Sequence, residues 1–171
     1  MSEIEIKFVF KPFDRLTLAE LYACLRLRNE VFIVEKYAGC FQDADNRDKV
    51  AWHLLGYARR KESDEWDEEE LACYCRIFTP GVVYSSFSIG RVCVHSRFRR
   101  KGVGKRLMEE SFVRVQEFVW PGSPGIEIGA QLYLQNFYES LGFSREGDVY
   151  LDGDNIEHVH MSRPPGTRAE C

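Results

Sequence analysis

The chain has 171 residues, 44% hydrophobic and 29% charged, which is about one domain's worth of sequence with enough apolar material for a single substantial core. No apolar run approaches the roughly 20 residues that a membrane span needs, and the acidic opening Met1-Ser2-Glu3-Ile4-Glu5 lacks the form of a signal peptide, so a cytoplasmic protein with no membrane partner is expected. A formal net charge of -4 argues against a chain built mainly to hold nucleic acid.

In chain order, residues 5 to 10 read as a strand, and Thr17-x-x-Glu20 opens a helix with a capping box, in which each side chain satisfies an otherwise free backbone N–H. Leu18, Leu21, Tyr22, Leu25 and Phe32 are expected to form its core-facing stripe. Strands follow at about 50 to 60, 71 to 78 and 84 to 95. Residues 61 to 70 carry seven acids and read as an exposed hairpin loop, or alternatively as a surface that attracts a basic acceptor. A helix after Gly104 is expected to bury Met108, Phe112, Val115 and Val119 and to stop before the Pro121-Gly122-Ser123-Pro124-Gly125 cluster. Ile126, Ile128 and Ala130 alternate as a strand. Leu134, Phe137, Tyr138 and Leu141 give the inner stripe of a last helix, with Gly142 at its left-handed C′ position.

The stretch from Val92 to Leu107 concentrates the chemistry. An apolar strand runs through a basic glycine loop into an amphipathic helix, and six of the ten residues from Arg97 to Arg106 are Lys or Arg. Glycines let the backbone come close to a ligand, convergent N–H groups and a helix N-terminus favour an anion, and the cations suit several phosphate charges. Three common phosphate motifs fail here. A Walker A loop needs Gly and Ser/Thr where Arg99 and Arg106 stand, a dinucleotide fingerprint needs Gly at Leu107, and an RNA-recognition strand needs aromatics after Lys101-Gly102.

Arg99-Arg100-Lys101-Gly102-Val103-Gly104 resembles the Arg/Gln-x-x-Gly-x-Gly/Ala loop of the GCN5-related N-acetyltransferases (GNAT), and Tyr138 through Phe143 resembles the Tyr-x-x-x-Gly-Phe signature of that family's last helix. Leu27 to Glu35, Gln42-Asp43-x-Asp45-x-x-Asp48, His53-Leu54-Leu55 and Tyr150-x-Asp152-Gly153-x-Asn155-Ile156-x-His158-x-x-Met161 look like its ElaA branch. The resemblance implies one α/β (α+β) domain over residues 5 to 163, with 164 to 171 a flexible tail. Its GNAT fold would have a mixed, mostly antiparallel central sheet of six to seven strands, about four flanking helices, and a splayed strand pair for acetyl-CoA. It implies an acetyl-CoA-dependent N-acetyltransferase that needs no metal.

By the same resemblance, the backbone of Arg99, Arg100, Lys101, Gly102, Val103 and Gly104 would hold the CoA pyrophosphate, while flanking cations, Lys105 among them, would steer it or hold the 3′-phosphate. Val92, Cys93 and Val94 would offer backbone N–H groups to pantetheine and the thioester oxygen, and Asn136 would contact the pantetheine amides. Tyr138 would protonate the departing thiolate, as a phenol protonated at neutral pH can. A lysine-like amine, with a pKa of about 10.4, needs a base; Glu127, Glu30, Glu35 and Asp43 are the candidates. The acceptor stays open among a small-molecule amine, a peptide N-terminus and a lysine side chain, as does the choice between monomer and homodimer. The alternatives are a catalytically silent CoA-binding module and, more weakly, an RNA-binding protein using Arg97 to Arg106.

The six cysteines, Cys24, Cys40, Cys73, Cys75, Cys93 and Cys171, show no zinc spacing and read as free thiols, mostly buried. His158-x-His160 lacks a nearby third ligand, so these read as structural or surface imidazoles.

Overall fold

The computed structural model describes residues 4–35, 42–59, 70–118, 124–152 and 155–165. Seven strands, β1 (Glu5–Pro12), β2 (Trp52–Arg59), β3 (Glu70–Phe78), β4 (Phe87–Val94), β5 (Ile126–Gln131), β6 (Ser144–Leu151) and β7 (Glu157–Arg163), form one sheet in the order β1-β2-β3-β4-β5-β7-β6. Every pairing is antiparallel except β4 with β5. Among the described residues three α-helices accompany it, against about four expected: α1 (Leu18–Asn29), α2 (Val103–Gln116) and α3 (Gln135–Glu139). The mixed, mostly antiparallel sheet is the expected one.

Strand alternation supplies a core on each face of the sheet. Leu54, Cys73, Cys75 and Ile77 pack with Leu107, Met108 and Phe112 of α2, whereas Leu55, Tyr74 and Cys93 pack with Cys24 and Leu27 of α1. Each fully buried Leu or Phe contributes on the order of 1.5–3 kcal/mol. Val119 and the 61–69 part of the acidic loop lie outside the described residues, as do Cys40 and Cys171. The four described cysteines are free and buried.

The capping box at α1 is formed, with Glu20 N–H donating to Thr17 Oγ1 at 3.1 Å and Thr17 N–H donating to Glu20 Oε2 at 2.8 Å. The expected stripe of α1 is incorrect. Leu18 is 87% and Tyr22 71% exposed, and the face that packs is Cys24, Leu27, Arg28 and Val31, a helical i, i+3, i+4, i+7 set. Arg28 hid this face because a buried arginine looks polar in sequence. Three aspartates and two further arginines make its burial possible.

Arg28 donates to Asp43 from Nε at 2.8 Å and to Asp48 from Nη1 at 2.9 Å. Arg76 donates to Asp45 and Asp48 from Nη1, each at 2.7 Å, and Arg91 donates to Asp43 from Nε at 2.7 Å. Asp43-x-Asp45-x-x-Asp48 is therefore a clasp that fastens the loop before β2 onto α1, β3 and β4. Burial alone would raise the Asp45 and Asp48 carboxyls. The hydrogen bonds and charges of the arginines outweigh it and hold both below the usual carboxylate range.

Arg91 also marks a bulge. Opposite β3, the register passes from Tyr74↔Cys93 to Arg76↔Gly90, so one residue of β3 faces two of β4, and Arg91 takes φ +52°. The extra residue inverts the alternation. Phe87 and Ile89 face the α2 side before it, Val92 and Val94 face that side after it, and Cys93 turns to α1.

Candidate active site

β4 and β5 pair only at Phe87↔Ile126 and Ser88↔Glu127, then diverge. Past that point the edge of β4 that faces β5 is unpaired. His95 N–H donates to Ala72 of β3 at 2.9 Å, and strand alternation then turns the Val94 N–H the other way, into the opening. A groove of about 550 Å³ lies there, walled by Val92, Cys93 and Val94, by Leu134, Phe137 and Tyr138 of the last helical segment, and by the basic loop.

The loop is shaped as an anion nest. Arg100 has φ +59° and Gly102 φ +75°, two left-handed residues on either side of Lys101. Arg100 thus adopts, at some strain, an angle that glycine takes freely. Arg106 N–H makes the first turn's bond to Gly102 O at 3.1 Å, so the N–H groups of Val103, Gly104 and Lys105 at the α2 N-terminus have no acceptor within the helix. Val103 is 1% exposed, so its side chain belongs to the core and only its backbone faces outward.

The six cations of this stretch divide by partner. Arg99 donates from Nε to Val94 O at 2.8 Å and pairs through Nη2 with Glu35 at 2.6 Å. Arg97 pairs with Glu70 at 2.8 Å, and Arg106 donates to Ile4 O at 2.6 Å, away from the groove. Lys105 is paired loosely, 3.6 Å from Glu109, and lines the groove with Arg99 and Arg100. Lys101 is exposed on the loop outside the groove wall.

A second cavity, of about 220 Å³, opens on the other side of the β4–β5 cleft. It is walled by Arg47, Arg76 and Arg91, by Tyr84, Tyr150 and His158, and by Ile89 and Gly129. The groove and this cavity share five residues: Phe32, Val92, Gln131, Leu134 and Tyr138. Tyr138 is 6% exposed, and burial raises its phenol well above the ordinary value, so the hydroxyl stays protonated through neutral pH.

The structure does not bring every expected residue to this junction. Asn136 is exposed on α3 and off the groove wall, where Phe137 and Tyr133 stand instead. Glu127 lies 3.0 Å from His160 Nε2 and lines a separate recess with Ser86, Glu146 and Ser162. Glu30 faces His95 at 3.3 Å, Glu35 faces Arg99, and Asp43 is held by Arg28 and Arg91. Sequence reasoning gave no role to the cavity's Arg47, Tyr84 and Tyr150, which come from three separate segments, although Tyr150 and His158 stand in the ElaA-like motif near the end of the chain.

A splayed parallel pair, a nest leading into a helix N-terminus and a buried phenol where two cavities meet define an acyltransferase of the CoA-using kind. The chain belongs to the GNAT acetyltransferase family: the family model described as an acetyltransferase (GNAT) domain matches residues 66–164. It is 37% identical to Protein ElaA of Escherichia coli (strain K12), with 88% of this chain and 91% of that protein aligned. Among solved structures it is similar to an acyl-CoA N-acyltransferase from Pseudomonas aeruginosa, at a TM-score of 0.78 and 35% identity over 93% of this chain and 99% of the other. The crystal structure of Escherichia coli ElaA aligns at a TM-score of 0.76 and 34% identity, over the same shares.

Proposed function

We propose that the protein transfers the acetyl group of acetyl-CoA to a primary amine, which attacks the thioester directly at the junction of the two cavities. The observation that carries this reading is Tyr138, which lines both the CoA groove and the second cavity. In it, the N–H groups from Val103 to Lys105 and the nest at Arg100 and Gly102 grip the pyrophosphate, with Arg99 and Lys105 beside them. The unpaired edge of β4 aligns pantetheine, and the Val94 N–H polarises the thioester oxygen, where negative charge develops. The Tyr138 hydroxyl protonates the leaving sulfur. The amine enters through the second cavity, whose size suits a small molecule or the end of a side chain or peptide.

Calorimetric titration with acetyl-CoA and with desulfo-CoA tests the donor site. Saturable, one-to-one binding of both is expected. Absence of binding would refute the reading, and a steeply salt-dependent affinity for RNA competed by CoA would favour the nucleic-acid alternative.

A further inference from the structure

His158 stands directly across from Gln131 on β5 and from Tyr150 on β6. Directly paired residues present their side chains on one face of a sheet, with Cβ atoms roughly 4.5–5.5 Å apart. The imidazole therefore lies beside Gln131, one of the residues common to the groove and the cavity. Its ring is stacked on Tyr150, centroids 5.9 Å apart, and the residue is 7% exposed, as part of the cavity wall.

The tautomer follows from one bond. Nδ1 lies 2.8 Å from the Ile156 carbonyl oxygen, and a carbonyl only accepts, so Nδ1 carries the proton. In the neutral ring the lone pair is then on Nε2, which has no hydrogen bond among the described residues. By contrast, the four carboxylates suggested by sequence already have partners: Glu127 lies 3.0 Å from His160 Nε2 and Glu30 3.3 Å from His95 Nε2, Glu35 pairs with Arg99, and Asp43 pairs with Arg28 and Arg91.

From this geometry we infer that His158 is the general base of the acceptor cavity, its Nε2 taking the proton that the acceptor nitrogen sheds. The inference rests on the acetyltransferase reading above. The neutral fraction of the amine attacks the thioester carbonyl carbon. As the C–N bond forms, the nitrogen becomes positively charged and acidic, and one N–H proton moves to Nε2. The C–S bond then breaks with its electron pair on sulfur, which takes the Tyr138 hydroxyl proton. The imidazolium gives its proton up through solvent and the phenolate regains one, so the net change is amine plus thioester to amide plus thiol. Nothing is oxidised or reduced.

The charged and titratable groups around the cavity are Tyr150 on β6, Asp152 after it, Tyr84 before β4, Arg76 on β3, Arg91 on β4, Arg47 and Tyr138. Burial raises the phenols of Tyr84, Tyr138 and Tyr150. Asp152 is the carboxylate on the wall, so Asp152→Asn is the comparison variant.

The test measures CoA release against pH with an amine that the wild type acetylates, for wild type, His158→Phe, His158→Gln and Asp152→Asn. Phe retains a ring to stack on Tyr150, and Gln retains a polar side chain; thermal unfolding establishes that each variant is folded. For total amine, log kcat/KM should rise with a slope of about 2 on the acid side in wild type, one from the amine and one from the base; Asp152→Asn, which alters the acceptor cavity and so KM, should keep that slope. In both His158 variants the slope should fall to about 1, and kcat by about 10²–10⁴-fold, with the acetyl-CoA Kd within about twofold of wild type. An unchanged slope and near-wild-type turnover in folded His158 variants would overturn this inference alone, as would a slope that falls to about 1 in Asp152→Asn and not in the His158 variants. A wild type that binds acetyl-CoA and acetylates no amine would overturn the acetyltransferase reading, and this inference with it.

Discussion

Tyr138 and Phe143 meet edge to face, ring centroids 5.8 Å apart and planes at 79°, across the turn that ends α3. The backbone ties the same pair: Phe143 N–H donates to Tyr138 O at 3.1 Å, and Gly142 N–H to Glu139 O at 3.0 Å, with Gly142 at φ +85°. This is a Schellman closure with its hydrophobic contact. The ring is positioned by packing in which the hydroxyl takes no part. Tyr138→Phe should therefore unfold within about 2 °C of wild type and bind acetyl-CoA with nearly unchanged affinity, while kcat falls about 10²-fold. Thermal melts, calorimetry and a thiol-release assay check the three.

Gly102 sits at φ +75° with nothing within 4 Å of where a Cβ would stand. A Cβ there has open space, so replacement by Val acts through the backbone, because a β-branched residue is a strained occupant of the left-handed region. Gly102→Val should weaken acetyl-CoA at least about tenfold while the circular dichroism spectrum stays native. Unaltered affinity would remove the nest from the donor site.

Asp48 bridges two guanidiniums that are 1% and 3% exposed as residues, Arg28 and Arg76. Asp48→Ala takes one of two carboxylate partners from each buried guanidinium, Asp43 and Asp45 remaining, a change that costs up to about 3–5 kcal/mol. Urea denaturation should show the midpoint falling accordingly. A loss below about 1 kcal/mol would mean that the clasp is not what holds the loop down.

The same clasp sets an acid limit. Asp45 and Asp48 have folded-state values held below those of the unfolded chain, where a carboxyl titrates near about 3.9. Their contribution is complete above the unfolded value and is lost as pH falls toward the folded ones. Urea midpoints should be level from about pH 7 to 5 and drop progressively below about pH 4, and Asp48→Asn should flatten part of that drop.

Burial pushes the Cys24 and Cys73 thiols up to about 12, and raises Cys75 and Cys93 as well. The thiolate is the reactive form. Iodoacetamide at neutral pH, followed by peptide mapping, should leave these four cysteines unmodified in the native protein and label them after denaturation. Labelling of Cys93 in the native state would mean that the β4 edge opens far more than its packing allows.

What was legible in the sequence was whatever a short local pattern encodes. The Thr17–Glu20 capping box, the alternation of Ile126, Ile128 and Ala130, the left-handed Gly142 and the strand-loop-helix around Gly102 each depend on a few neighbouring residues, and each is formed. The packing face of α1 was not legible, because Arg28 reads as solvent-facing until Asp43 and Asp48, 15 and 20 residues away, are seen to neutralise it. The register of β4 was hidden for a related reason. One bulge at Arg91 reverses which residues face inward, and nothing about an arginine in an apolar run announces a left-handed backbone. The second cavity lay furthest from view, since Arg47, Tyr84, Gly129 and His158 meet only after the sheet has formed.

The most direct test of the account's central claim is thiol release from acetyl-CoA, followed with a panel of small amines, peptide N-termini and lysine-containing peptides, with acetylated product counted by mass spectrometry. The two-cavity junction at Tyr138 predicts amine-dependent release of CoA, one thiol for each amide formed, and near-silence without an acceptor. Tight acetyl-CoA binding with no amine-dependent release across the panel would contradict it and leave a CoA-binding module in its place.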